Sequence, residues 1–338
     1  MATLQIEHAI SDFEVWKKAF DADPVRREES GVRRYRVFRP PRALAHRAGH
    51  VWEQAVLPLR ARGARAVLSP ANLAPLALGE RNVVLIHDAA TLRHPEWYGR
   101  GYVAWQRAVL PRLARRAGLV LTVSEFAKGE LVGVLGAPPE RVLVVGNGVD
   151  ARFHPEADAE AARAALRLEY PYVLAVGTRI ARKNLTGLDN AARALAERGF
   201  ELVAAGSGRG YMREEEAAAV RALGYVPEEH LPGLYAGAAA LVMPSLYEGF
   251  GLPVIEAMAS GTPVVAADRA ALPEVAGDAA LLFDPDDPDA AADALLRVID
   301  DHREAAGLRA RGLERARRFT WRAVAERVDA AIASLPDR

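Results

Sequence analysis

The sequence predicts an α/β protein of two doubly wound domains facing across a cleft. Short apolar runs such as Asn82 to Ile86 and Tyr172 to Val176 read as strands buried on both faces. They alternate with amphipathic segments of helical length, the pattern of a parallel sheet covered by helices. The alternation comes as two series, separated by the polar stretch Gly148 to Tyr170 with Pro155 inside it, which reads as a linker. A chain of 338 residues fits two domains of roughly 100 to 200 residues each.

In order, residues 3 to 8 read as a strand. Ser11 caps a helix with Phe13, Trp16 and Phe20 on one face, and Val32 to Phe38 forms a second strand. An amphipathic helix is expected from His46 to Arg62, then strands at Ala66 to Ser69 and Asn82 to Ile86. A helix from Tyr102 to Ala117, a strand at Leu119 to Thr122, a helix opened by Ser124 and a strand at Arg141 to Val145 complete the first series. The second series begins with the strand Tyr172 to Val176, the helix Leu185 to Arg198 and the strand Glu201 to Ala205. A helix Glu214 to Leu223 and a short strand Gly224 to Val226 follow, then strands at Ala239 to Met243, Pro263 to Ala266 and Ala280 to Phe283. Helices from Asp289, Arg303 and Thr320 end the chain.

Composition removes several classes of function. The formal net charge is zero, so the broad attraction on which nucleic-acid binders rely is missing. There is no cysteine, hence no disulfide, thiolate metal site or cysteine nucleophile. No apolar run reaches membrane-spanning length and the N-terminus is not that of a signal peptide, so a cytoplasmic protein is expected. Of the 44 basic residues only Lys17, Lys18, Lys128 and Lys183 are lysine. Each invites the question of why it is not arginine.

The chemistry centres on Ser245 to Gly261. Glycines flank Phe250, Pro253 suits the first turn of a helix, and Gly261 suits its left-handed end. A helix entered through such a loop directs free N–H groups and the positive end of its dipole at one place, which is a site for an anion, usually phosphate. Glu248 precedes the loop and Glu256 lies one turn inside the helix. Carboxylates cannot favour a phosphate, so sugar hydroxyls on either side of a diphosphate fit them. In the first series His87, Ser124 and Asn147 fall at strand ends, where such sheets bind ligands.

Six ordered motifs carry a resemblance: HDAATLRHPEWY at 87–98, TVSEFAKGEL at 122–131, GNGVD at 146–150, VGTRIARKNL at 176–185, PSLYEGFGLPVIEAMASGTPVV at 244–265, and ALPEVAGDAALLFDPDD at 271–287. From about residue 41 to 335 the chain resembles the glycosyltransferases of family 4. That implies the GT-B fold: two Rossmann-like doubly wound domains, an acceptor-side domain over 41–150 and a donor-binding domain over 151–319. A C-terminal helix, 320–338, is expected to pack back toward the first. The resemblance further implies a hexose transferred with retention from a nucleotide-sugar donor to a glycan or lipid-linked acceptor. Carried over by position, Glu248 contacts the transferred sugar, and Gly249, Phe250, Gly251 and Leu252 meet the diphosphate. Glu256 holds the ribose, while Arg182 and Lys183 balance the leaving diphosphate. Gly177 and Thr178 line the donor site, Tyr225 and Val226 meet the base, and His87 sits by the reaction centre. Asp88, Ser124, Glu125 and Asn147 are acceptor-side candidates. The compact ammonium of Lys183 suits a crowded phosphate site. No cofactor or metal is expected, since Arg182 and Lys183 supply the positive charge. The style of the 87–98 and 176–185 motifs resembles bacterial mannosyltransferases of surface polysaccharide assembly. This favours GDP-mannose over a UDP-sugar, a choice the residues alone leave open.

Simpler readings stand beside these. Ser124 suits an N-cap, Glu125 a first helical turn and Asp88 a cap for the segment that follows it. Gly206-Ser207-Gly208 either lines the donor site or turns the chain, and Asp284-Pro285-Asp286 suits a loop and cap better than a metal site. Arg107, Arg112, Arg115 and Arg116, opposite a face with Trp105, Val109 and Leu113, form a solvated surface or touch anionic lipid at the inner membrane face. Residues 1–40 depart from the family pattern: the glycine-rich turn after the first strand is missing, and the segment weakly resembles the opening of a small ferredoxin-like α+β barrel protein. The first domain is therefore expected to lack its leading strand and helix. That keeps open a catalytically impaired nucleotide-sugar-binding protein as the alternative function. A GT-B isomerase or hydrolase would need further acid–base groups that the sequence does not offer.

Overall fold

The computed structural model describes residues 3–7, 34–38, 49–206 and 217–335, with backbone alone up to residue 50. The helix expected from Ser11, the junction at Arg39-Pro40-Pro41, and Ser207 and Gly208 lie outside the described residues. The chain divides into two compact units. One comprises residues 1–93, 103–146 and 322–338, and the other residues 94–102 and 147–321.

The first unit holds a parallel sheet of six strands: β1 (Thr3–Glu7), β2 (Arg34–Phe38), β3 (Val67–Ser69), β4 (Asn82–Leu85), β5 (Leu119–Thr122) and β6 (Val142–Val144), in the order β2-β1-β3-β4-β5-β6. β1 pairs with β2 from Thr3 to Glu7 and with β3 through Ile6 and Leu68. The strand read over residues 3 to 8 is therefore β1, and it pairs into the sheet as a leading strand, which the missing glycine-rich turn predicts to be absent. Alternation along the strands divides the core, as a side-chain period of two requires. Val84, Ile86 and Val120 face a cluster with Leu113, Leu131 and Leu135. Val83, Leu119 and Leu121 face another, completed by Ala331 with Val324, Val328 and Ile332 of the helix Trp321–Ala333.

The second unit holds β7 (Tyr172–Val176), β8 (Glu201–Ala205), β9 (Arg221–Gly224), β10 (Ala240–Met243), β11 (Val264–Ala267) and β12 (Ala280–Phe283), all parallel, in the order β12-β11-β10-β7-β8-β9. The central strands β10 and β11 are buried throughout, which explains their unbroken apolar runs. The strand order reverses between β7 and β10. In open α/β sheets the crevice at such a reversal, beyond the C-terminal strand ends, is where ligands bind.

Three expected elements are corrected. The helix from His46 to Arg62 is two, Gly49–Ala55 and Leu57–Arg60, because Pro58 has no N–H with which to continue the ladder. The expected linker contains the helix Ala159–Leu166, capped by Asp158 and burying Ala162. Residues 221–223, expected to end a helix, form with Gly224 the edge strand β9, which lies earlier than the strand expected over 224–226. Ala222 and Leu223 carry helical propensity, but pairing with β8 overrides it.

Candidate functional site

The candidate donor site gathers at the strand reversal of the second unit. β7 ends at Val176 and β10 at Met243, and the segments after them supply Gly177, Thr178, Arg182 and Lys183 from one side and Ser245 to Leu252 from the other. Arg182 and Lys183 lie on a single 3₁₀ turn, Ala181–Lys183. Gly177 takes a φ of +151°, and a side chain there would come within 2.8 Å of Lys183 Cε. Glycine makes the room in which the lysine is folded down, 9% exposed.

Lys183 Nζ lies 2.7 Å from Glu248 Oε1 and Arg182 Nη1 lies 2.9 Å from Glu248 Oε2. Arg182 Nη1 also donates to the Tyr247 carbonyl at 2.6 Å, and the Leu246 N–H donates to the Arg182 carbonyl at 3.0 Å. These bonds lace the two segments together. Burial by itself would raise the Glu248 carboxyl. The Arg182 and Lys183 charges, with hydrogen bonds from Lys183 and Ser245, outweigh it and bring the pKa down to about 2. Glu248 therefore touches both cations, a grouping that the assignment of one residue to the sugar and two to the diphosphate did not anticipate.

Beyond Glu248 the chain passes through Gly251, with a φ of +101° suited to glycine, into the helix Leu252–Ala259. No side chain caps this helix start, and Pro253 occupies its first turn. Phe250 is buried edge-on against Phe319, 5.7 Å between centroids. Glu256, one turn in, accepts a 2.7 Å hydrogen bond at Oε2 from the Tyr235 hydroxyl. Burial raises the Glu256 carboxyl and the Tyr235 bond opposes the rise. Sequence reasoning missed Tyr235. Its signal was a tyrosine in the helix before β10, a position with no solvent for its hydroxyl. Tyr225 follows the left-handed Gly224 at the end of β9 and is 73% exposed, whereas Val226 is buried.

The candidates in the first series are placed differently. The His87 N–H donates to Asn72 Oδ1 at 2.7 Å just beyond β4. Asp88 Oδ1 accepts from the Ala90 N–H at 2.9 Å, and Ser124 Oγ from the Ala127 N–H at 3.0 Å, so both act as caps. Glu125 is exposed in the first turn of the helix Glu125–Leu135. Asn147, expected in the first domain, groups with the second unit. So do residues 94–102, where His94 stacks on Trp97 and meets Tyr247 edge-on at 5.5 Å. Asp284 and Asp286 both pair with Arg269, the loop chemistry expected of them.

Comparison with known proteins bears on what this geometry serves. Residues 170–301 match the model described as "Glycosyl transferases group 1", and residues 12–153 match "Glycosyltransferase Family 4". The O-antigen chain mannosyltransferase B of Escherichia coli is 35% identical over 264 residues, 72% of this chain and 67% of that protein. The chain belongs to the family 4 glycosyltransferases. The MMP alpha-(1->4)-mannosyltransferase of Mycolicibacterium hassiacum is 33% identical over 68% of this chain, which spans 56% of that protein. Among solved structures, Anabaena HepE in complex with UDP-glucose aligns with a TM-score of 0.72 at 19% identity, covering 99% of this chain and 100% of that one. Sucrose-phosphate synthase from Thermosynechococcus elongatus aligns equally well, TM-score 0.72 at 19% identity, over 99% of both chains. The GT-B fold is thus shared with these structures. The family 4 match begins at residue 12, inside the segment 1–40 that departs from the family's motif pattern. Among the described residues no helix is long and apolar enough to cross a membrane.

Proposed function

We propose that this family 4 glycosyltransferase moves a hexose, mannose from GDP-mannose in the first instance, to a glycan or lipid-linked acceptor with retention of configuration. The observation that carries this reading is the Arg182–Lys183–Glu248 cluster at the strand reversal, with an uncapped helix start and Glu256 just beyond it. The diphosphate would sit against the helix start and draw on the two cations; Glu256 would take the ribose hydroxyls and Glu248 would face the sugar. The bond from the anomeric carbon to the diphosphate oxygen breaks, and the acceptor oxygen joins that carbon on the same face. The acceptor proton passes to the departing diphosphate oxygen. Negative charge grows on the diphosphate as it leaves, so the two cations bind the transition state more strongly than the ground state. They supply the positive charge with no divalent metal in the scheme.

Mannose as the sugar is supported by the two mannosyltransferase relatives; a UDP-sugar is the competing donor, supported by the UDP-glucose in the HepE structure. The non-catalytic alternative leans on a missing glycine-rich strand, loop and helix; the pairing of β1 speaks to the strand, while residues 8–33, which follow it, lie outside the described residues. We place the reaction at the cytoplasmic face of the membrane, where exposed Arg107, Arg112, Arg115 and Arg116 on the helix Arg100–Arg116 suit anionic headgroups; Trp105, expected on the opposite face with Val109 and Leu113, is exposed while those two are buried.

Thermal shift with GDP-mannose, UDP-glucose and UDP-N-acetylglucosamine is the first test, with Glu256→Ala as control. Stabilisation by one donor, lost in the variant, is expected. Release of nucleoside diphosphate with and without acceptor lipid or glycan then separates a transferase from a binder. Donor binding without acceptor-dependent release overturns the catalytic reading.

A further inference from the structure

The helix Leu231–Ala236 carries a tyrosine that neither the family motifs nor the scheme above uses. Tyr235 is fully buried, and a hydroxyl in such a place is costly unless it has a partner. Its partner is Glu256 Oε2, at 2.7 Å. The ring cannot readily turn away. It packs edge-on against Phe153, 5.5 Å between centroids, and its own carbonyl accepts from Thr262 Oγ1 at 2.6 Å. The hydroxyl thus reaches Glu256 from a fixed position, across from the helix on which Glu256 rides.

We infer that Tyr235 is a positioning residue for the nucleotide: its hydroxyl pins Oε2 of Glu256 and leaves Oε1 to accept from the ribose hydroxyls. This rests on the reading of Glu256 as the ribose-binding carboxylate. A glutamate on a helix has three rotatable side-chain bonds, and fixing one oxygen before the ligand arrives removes an ordering cost from binding. Burial first, then the neighbouring Glu256 charge, pushes the Tyr235 hydroxyl well above its ordinary range, so it stays a donor at any pH the protein tolerates. Three further charged groups bear on Glu256: Arg152 and Lys183 favour its ionised form and Asp150 opposes it. The tyrosine is the hydrogen-bonding one of the four. Without it, burial raises the carboxyl further, and a protonated carboxyl is a weaker acceptor for the ribose hydroxyls than a carboxylate.

The test is calorimetric binding of UDP, GDP and ADP to the full chain, taking the tightest of the three. Parent, Tyr235→Phe, Glu256→Ala and Glu256→Gln are compared across a pH series. Tyr235→Phe keeps the ring and its packing, and a thermal melt confirms that it folds. We expect Tyr235→Phe to weaken the ribonucleotide about 3- to 10-fold at neutral pH. It should also lift the pH at which affinity falls off on acidification, and penalise the matching 2′-deoxynucleotide less. Glu256→Gln, which cannot titrate, should abolish that acid step. If Glu256→Ala weakens binding while Tyr235→Phe binds like the parent at every pH, the inference fails and the ribose reading stands. If no nucleotide binds the parent, or Glu256→Ala leaves binding unchanged, the donor-site reading fails and takes the inference with it.

Discussion

Polar residues at the strand ends of the two units behave in opposite ways. In the first unit Asp88 and Ser124 are bonded to backbone N–H groups of the turns they start. In the second, Arg182, Lys183 and Glu248 are bonded to one another, with the carboxyl of Glu248 held far below its ordinary range. The sheet orders account for the difference. The second unit reverses between β7 and β10, whose following segments carry the charged cluster. The first reverses between β1 and β3, whereas His87 and Ser124 follow β4 and β5. A strand end is thus a weak pointer to chemistry, and the strand end at a reversal is a strong one.

The contrast can be broken most forcefully at Lys183. Lys183→Ala should lower hexosyl transfer at saturating donor by about 10²- to 10³-fold, as removal of a preorganised transition-state contact does. A variant keeping more than a tenth of the parental rate in a product-release assay would reduce the cluster to a fold element. A smaller effect concerns stability. Glu248 is depressed from 4.5 to about 2, which by linkage contributes about 3 kcal/mol above the ordinary carboxylate range. The sign follows from the depression: the contribution is complete above the unfolded-state pKa and disappears as pH falls through the folded-state value. Urea unfolding of Glu248→Gln should show a deficit of that size at pH 7, narrowing below pH ~4. A gap that stays constant with pH would mean that the carboxylate charge is not what matters. The smallest effect belongs to the first unit: Ser124→Ala should cost about 1 kcal/mol through the lost cap and leave nucleotide affinity unchanged. A fall in affinity there would erase the distinction between the units.

Much of the fold could be read from the sequence because parallel strands buried on both faces leave unbroken apolar runs. Tyr172 to Val176, Leu119 to Thr122 and Glu201 to Ala205 are strands with the expected bounds, and so is the edge strand Ala280 to Phe283, apolar although Leu282 is exposed. Failures came where tertiary contacts decide. The 221–224 segment, with Ala222 and Leu223, becomes a strand because β8 offers an edge, and the strand read over residues 3 to 8 is not recognisable as the leading strand of the domain because no glycine-rich turn follows it. At the site, the members of the charged cluster could be named from their motifs, but the pairing of both cations with Glu248 could not. That pairing depends on two segments 65 residues apart in sequence, joined at Arg182 Nη1 and the Tyr247 carbonyl. Tyr235 was hidden because a tyrosine among apolar residues looks like core until the partner of its hydroxyl is known.

The helix Trp321–Ala333 has a practical consequence. Its Val324, Val328 and Ile332 close one face of the first unit's sheet, over Val83, Leu119 and Leu121, although they lie more than 170 residues further along the chain. A fragment stopped at Gly146 would leave that face wet, at about 1.5 kcal/mol or more for each aliphatic side chain left without cover. Anyone wishing to study the first unit alone would do better to splice the last helix back on, through a short linker after Gly146, than to cut the chain in two.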